Sequence, residues 1–283
     1  MRARNARLVF PLVLSTFVLS TSHAQTSPPT AKFTIGAKVW HAAWLSYVPA
    51  SYSGIGANGT PAVGDVADAV EGSEHTDVMP LLGLSYGKFF ASASYGRFTG
   101  DFNVRSSPVL TPGGQTLITS RLDHFKRRES DLNLGYSIVP GVGIVLGYKD
   151  ATETRDTSLG IQPGRTPVLT TKVRGLLLGA TGNFVVVDKL SFYAQAGYGP
   201  ARFRLRFADP ALGTVKANGR YIIGELGLSY PIWSNAARGS GAVAAVGYRT
   251  QTVKTDSDAG IFQSARRLRD VRDGAVMSLN LTL

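Results

Sequence analysis

What most restricts this chain is a period of two, held within segment after segment. Leu132, Leu134, Tyr136 and Ile138 fall on one parity, while Asp131, Asn133, Gly135 and Ser137 fall on the other. Val142, Ile144, Leu146 and Tyr148 oppose Gly147 and Lys149, and Ile222, Leu226, Leu228 and Tyr230 oppose Glu225, Gly227 and Ser229. Near the carboxyl end Ala275, Met277, Leu279, Leu281 and Leu283 oppose Ser278, Asn280 and Thr282. Successive side chains of a strand point to opposite faces, so each segment reads as a strand with one apolar and one polar wall.

The segments come in pairs that recur about every 50 residues, which marks one repetitive domain rather than two unrelated ones. The first pair runs Leu82 to Tyr86 and Phe89 to Tyr95, and the second Leu132 to Tyr136 and Val142 to Tyr148. A weaker third pair runs Leu176 to Asn183 and Phe192 to Tyr198, with Val185, Val186 and Val187 blurring its turn. The fourth runs Ile222 to Tyr230 and Ala242 to Tyr248. Single strands near Lys32 to Val48 and Arg266 to Leu283 complete a set of ten, with eight or twelve as the alternatives if a weak segment is miscounted.

A soluble sandwich also alternates; the connections separate the two cases. Short turns alternate with long polar stretches: Pro49 to Thr76, Arg105 to Ser120, Thr157 to Pro167, Ala208 to Lys216 and Thr255 to Gln263. That asymmetry predicts an all-β, membrane-spanning, antiparallel up-and-down barrel with short periplasmic turns and long extracellular loops. Each strand needs roughly 9 to 11 tilted residues to cross. Within the first long stretch, Val63 to Val70 reads as a short helical turn. Tyr86, Tyr136 and Tyr230 fall beside short turns as a lower interfacial girdle, and Tyr95, Tyr148, Tyr198 and Tyr248 as an upper one.

Export is expected as well. Arg2, Arg4 and Arg7 precede an apolar stretch from Leu8 to Ser20, and Ser22-His23-Ala24 offers small residues to a signal peptidase. Residues 1–24 therefore read as a cleaved signal peptide and 25–283 as the barrel domain of an outer-membrane protein. Removing the three arginines leaves 27 basic against 19 acidic residues. The chain has no cysteine, which excludes disulfides, thiolate metal sites and cysteine nucleophiles.

On these strands, turns and tyrosines, the chain resembles the small bacterial outer-membrane β-barrel class over nearly all of residues 25–283. It ends in Leu283, where such barrels usually carry an aromatic residue that resembles an assembly signal. The resemblance implies the outer-membrane assembly machinery and outer-membrane lipid as partners.

The inward parity carries paired charges. A three-residue turn between Ile138 and Val142 sets Asp131 opposite Lys149 and Arg127 opposite Glu153, with Glu129 on the same wall. Glu225 lies near Arg249 in the last hairpin, and Lys38 and Arg272 are further inward candidates. Lys172 and Arg174 face inward only if Leu177, rather than Leu176 and Leu178, faces lipid. The set reads as a salt-bridged interior filling a narrow barrel, with a charged permeation path as the rival.

On the outward parity above the upper tyrosines stand Arg97, Lys126, Arg128, Arg202, Arg204, Lys254, Arg267 and Arg269, candidates for the phosphates of lipopolysaccharide. A bulge at Gly199-Pro200 would instead turn Phe203, Leu205 and Phe207 outward. Catalysis is not expected. Asp123 and His124 are adjacent and point to opposite faces; His75 and Asp77 share a parity, but no matching acidic pair stands on the opposite wall. No two histidines have metal-ligand spacing, and neither a cofactor nor a nucleic-acid partner is read. The expected role is structural or surface-interacting through extracellular loops. A narrow channel or uptake pore is the first alternative, and an outer-membrane protease or lipid-modifying enzyme the second.

Overall fold

The computed structural model describes residues 30–46, 50–55, 61–66, 70–105, 109–110, 116–117, 120–158, 166–208, 210, 214–235, 237–255 and 269–283. Residues 1–24, expected to be a signal peptide, lie outside them. Ten long strands, numbered here in chain order, make the barrel. They are β1 (Ala31–Ser46), β2 (His75–Tyr86), β3 (Phe89–Arg105), β4 (Ser120–Val139) and β5 (Val142–Ser158), then β6 (Thr166–Val187), β7 (Leu190–Phe207), β8 (Thr214–Asn235), β9 (Ser240–Thr255) and β10 (Arg269–Thr282). Each pairs antiparallel with its chain neighbour, and β10 returns to β1, with Thr34 opposite Thr282 and Trp44 opposite Arg272. The sheet closes on itself and has no open side.

The lower turns are tight because glycine supplies the left-handed backbone they need. Gly87 and Gly141 have φ of 59° and 78°. In the third hairpin the turn is Asp188-Lys189, and a register shift between Val185 and Val187 leaves the three valines exposed. That shift is why alternation fails there. The segment read as a helical turn includes a strand instead: Pro61–Val66 pairs with Ala50–Ile55 as a small hairpin. Val63 and Val66 are β-branched, which suits a strand.

The strands run far past the 9 to 11 residues that crossing requires. β4 has 20 residues and β6 and β8 have 22. At a rise of about 3.3 Å per residue and a tilt of about 40°, twenty residues reach roughly 50 Å, about twice the apolar band of such a barrel. The wall reverses polarity along this height. Beside the turns, leucines and tyrosines face outward and small or polar side chains face in. Higher up, Leu169, Val173, Phe203, Leu205, Tyr221 and Val253 pack inside while arginines and lysines stand outside. All seven girdle tyrosines are exposed on the outer wall.

One close approach is demanding. Leu176 and Leu177 have no Cα partner in β7, where Gly199 and Pro200 stand between paired Tyr198 and Ala201. A Cβ at Gly199 would collide with the carbonyl oxygen of Leu176 and with backbone atoms beside it. Backbone cannot step aside as a flexible side chain can. Gly199→Val is therefore expected to destabilise the barrel by about 3 kcal/mol, measured by urea unfolding from lipid vesicles.

Candidate functional site

The interior charges come from alternate positions of the strands: Asp131, Lys149 and Glu225 lie below the polarity reversal, while Arg127 and Glu153 stand level with Val173 and the outer Lys126 and Arg128. Lys149 stands opposite Asp131, Glu153 opposite Arg127, and Glu225 opposite Arg249; the second turn is one residue shorter than expected, with Val139 opposite Val142, and a register shift between Val142 and Gly143 restores these pairs. Each of these side chains, Glu129 and Lys38 and Arg272 included, is buried.

They join into two groups. In the lower group the signs alternate along a line. Lys149 donates to Asp131, Arg249 Nη2 lies 3.5 Å from Asp131 Oδ2, Arg249 Nη1 donates to Glu225 Oε2 at 3.1 Å, and Lys38 Nζ donates to the same oxygen at 2.7 Å. In the upper group Arg272 donates to Asp77 and lies 3.4 Å from Glu129 Oε1. Arg127 donates to Glu129 Oε1 at 2.6 Å, to Glu153 Oε2 at 3.3 Å and to Asp270. Arg155, also buried, brings the set to six bases against six acids: Lys38, Arg127, Lys149, Arg155, Arg249 and Arg272 with Asp77, Glu129, Asp131, Glu153, Glu225 and Asp270. This network of described residues is charge-balanced.

Several of these contacts cross the lumen. β4 and β9 are five strands apart in a ring of ten, so they are opposite walls. Arg249 and Gln251 of β9 meet Asp131 and Glu129 of β4, the amide of Gln251 donating at 3.0 Å. Arg272 of β10 reaches Glu129 from four strands away. Aromatic rings close the remaining space. The Arg272 guanidinium lies 3.7 Å from the Phe98 ring centroid and 4.1 Å from that of Trp40, and Arg127 lies 5.5 Å from that of Trp44. Ring faces attract cations, most of all where water is scarce. Beside the lower group a gap of about 20 Å³ opens among Asp131, Asn133, Lys149 and Arg249. That is room for about one water.

The histidines stand apart from one another. His75 is buried, stacked on Phe98 with centroids 4.3 Å apart, and its Nε2 faces Arg272 at 2.8 Å. His41 is on the outer wall, 2.9 Å from Thr76 Oγ1. His124 Nδ1 lies 2.5 Å from Asp101 Oδ1, a cross-strand contact with no signal in the local sequence. No group of three metal-ligating side chains occurs among the described residues.

The outer cations are placed as follows. Arg97, Arg128, Arg202 and Arg204 are exposed, and Lys126 is exposed with its Nζ 3.5 Å from Asp156. Lys254 and Arg269 are half-exposed and face each other across β9 and β10. Arg267 lies outside the described residues. No bulge reverses β7, because Phe203 and Leu205 are buried. Lys172 and Arg174 also face outward, since Leu177 is buried while Leu176 and Leu178 are exposed. Both reach Asp150, Arg174 Nε at 2.9 Å and Lys172 Nζ at 3.4 Å. Parity applied higher up β8 would also have found Lys216 and Arg220 on this wall.

A closed ten-stranded barrel with an apolar, tyrosine-girdled outer wall and a polar interior is an outer-membrane β-barrel. A solved structure agrees on the fold at a TM-score above 0.5. The outer membrane protease OmpT from Escherichia coli is similar at a TM-score of 0.56 and 9% identity, over 93% of this chain and 99% of that one. The P. putida toluene transporter TodX overlaps at a TM-score of 0.33 and 8% identity, over 90% of each chain. A Pseudomonas aeruginosa FadL homologue overlaps at 0.31 and 11%, over 89% of this chain and 90% of that one. The sequence matches no family model and no curated protein.

Proposed function

We propose that this is a non-enzymatic, non-conducting barrel of the bacterial outer membrane, exported by a cleaved signal peptide, whose tall extracellular end serves structure or surface interaction. The observation that carries this is the set of contacts joining opposite walls, Arg249 to Asp131 and Gln251 to Glu129. A pore lined by paired charges stays open only if the pairs run along its walls. Here they cross it, and the rings of Trp40, Trp44 and Phe98 pack against them. A protease reading through His75 is not supported, because that ring is buried against Phe98 and Arg272.

Refolded protein in planar bilayers is expected to give a flat baseline at 100 mV in 1 M salt. The Asp131→Ala/Lys149→Ala double variant, which clears the side chains beside the existing gap, is expected to give small discrete steps. Reproducible unit conductance from the wild-type chain sinks the closed-lumen reading.

A further inference from the structure

The outer wall above the upper tyrosines carries charges in an arrangement that works against the sheet. Arg97 stands directly opposite Arg128 across β3 and β4. Arg174 stands opposite Arg202, and Lys172 opposite Arg204, across β6 and β7. Arg204 in turn faces Lys216 across β7 and β8. Like charges directly opposite on one face of a sheet repel and destabilise it. Asp150 answers Lys172 and Arg174 only. Arg97, Arg128, Arg202 and Arg204 are exposed and have no acidic partner among the described residues. The interior of the same barrel pairs its charges carefully, so the chain is not indifferent to charge balance.

Directly beneath lies an apolar groove of about 480 Å³ on the lipid-facing wall. Its floor is made of small residues: Ala93 stands between Leu82 and Leu132, and Ala91 between Leu84 and Leu134. Arg97 is four residues above Ala93 on β3, and Arg128 four above Leu132 on β4, which is roughly 13 Å along each strand. Tyr95, exposed between these heights opposite Ser130, marks the interface of the bilayer, and Tyr148, opposite Leu132, lines the groove itself. Cations therefore sit at headgroup level over a furrow at acyl-chain level.

We propose that the β2–β7 face is a seat for lipopolysaccharide, with an acyl chain in the Ala91–Ala93 groove and its phosphates on the opposed arginines. The inference rests on the outer-membrane placement given above but not on a closed lumen. A phosphate between Arg97 and Arg128 turns their repulsion into two charge-assisted contacts, for which the planar guanidinium fork is suited. Charge complementarity and the adjoining groove together ask for an anionic headgroup on several chains. The outer leaflet supplies that molecule on the side where the long strands rise.

The experiment compares barrels refolded in neutral detergent, with apparent Tm read from the heat-induced gel shift. Added lipopolysaccharide is expected to raise the wild-type Tm by about 5 °C or more. Arg97→Ser/Arg128→Ser and Arg202→Ser/Arg204→Ser are each expected to lose at least half of that rise. Without lipid, the same variants are expected to be as stable as wild type or more so, because a repulsion has been removed. Ala93→Trp, which fills the groove, is expected to weaken the response to intact lipopolysaccharide but not to its deacylated form. Dephosphorylated lipopolysaccharide, phosphatidylglycerol and inorganic phosphate are expected to produce less than half the rise.

Serine variants that keep the full rise, or that lose stability without lipid, overturn the proposal. So does phosphatidylglycerol or phosphate matching lipopolysaccharide, which would make the face a general anion patch. Bilayer conductance reports the lumen alone, so failure of the closed-barrel reading and failure of the lipid seat are separate results.

Discussion

Glu225→Leu is expected to destabilise the folded barrel by about 3–5 kcal/mol, the cost of leaving buried charge uncompensated. Glu225 is the carboxylate that Lys38 and Arg249 both reach, at 2.7 and 3.1 Å, and its side chain is 1% exposed. Removing it strands the Lys38 ammonium; Arg249 keeps Asp131 at 3.5 Å. The Lys38→Met/Glu225→Leu double variant is expected to recover most of the loss, since a buried ion pair replaced by apolar side chains of like volume is often neutral. Urea unfolding from vesicles measures this, because Trp40 and Trp44 lie inside the barrel and report its opening. The same cycle tests whether the lumen is dry. In a water-filled channel the stranded ammonium would be hydrated, the single variant would cost under about 1 kcal/mol, and the two changes would add. Additivity would count against the closed lumen independently of any conductance record.

The strand count and wall parity were legible because the lipid-facing half of each strand obeys one rule: leucine and tyrosine outward, small or polar residues inward. The pairing of Asp131 with Lys149 was legible, but not for the reason the turn offered: Val139 rather than Ile138 stands opposite Val142, and a bulge between Val142 and Gly143 brings the strands back into that register. Strand length was not legible. Above the membrane the rule inverts, so stretches such as Ala208 to Lys216 read as loop, although β8 already begins at Thr214. Phe203 and Leu205 illustrate the ambiguity, since the same alternation fits a lipid-facing wall or, as found, an inner core beneath exposed arginines. Contacts across the lumen were hidden for a different reason. Arg249 and Asp131 are 118 positions apart on strands that never pair, and they meet only because the sheet closes with this stagger. His124 shows the same limit at short range: its partner is Asp101 on the neighbouring strand rather than Asp123 beside it.

The upper group makes the sharpest demand on side-chain shape, and Arg272→Lys is expected to cost about 2–3 kcal/mol although it keeps the charge. Arg272 serves three polar neighbours in different directions: Asp77, the Nε2 of His75 at 2.8 Å, and Glu129 at 3.4 Å. Its flat face also lies against Phe98 and Trp40. A planar fork with five donors can do this from one position. An ammonium is a point charge, so it satisfies Asp77 or Glu129, not both, and leaves the ring faces without a stacked plane. The loss should appear as a lower urea midpoint with an unchanged slope, the sign of altered stability rather than altered compactness. Arg206→Lys, on the exposed outer wall of β7, should stay within about 0.5 kcal/mol of wild type. If Arg272→Lys proves as harmless as Arg206→Lys, then charge alone holds the opposite walls together. The fork between Asp77 and Glu129 would then no longer explain why this end of the lumen is shut.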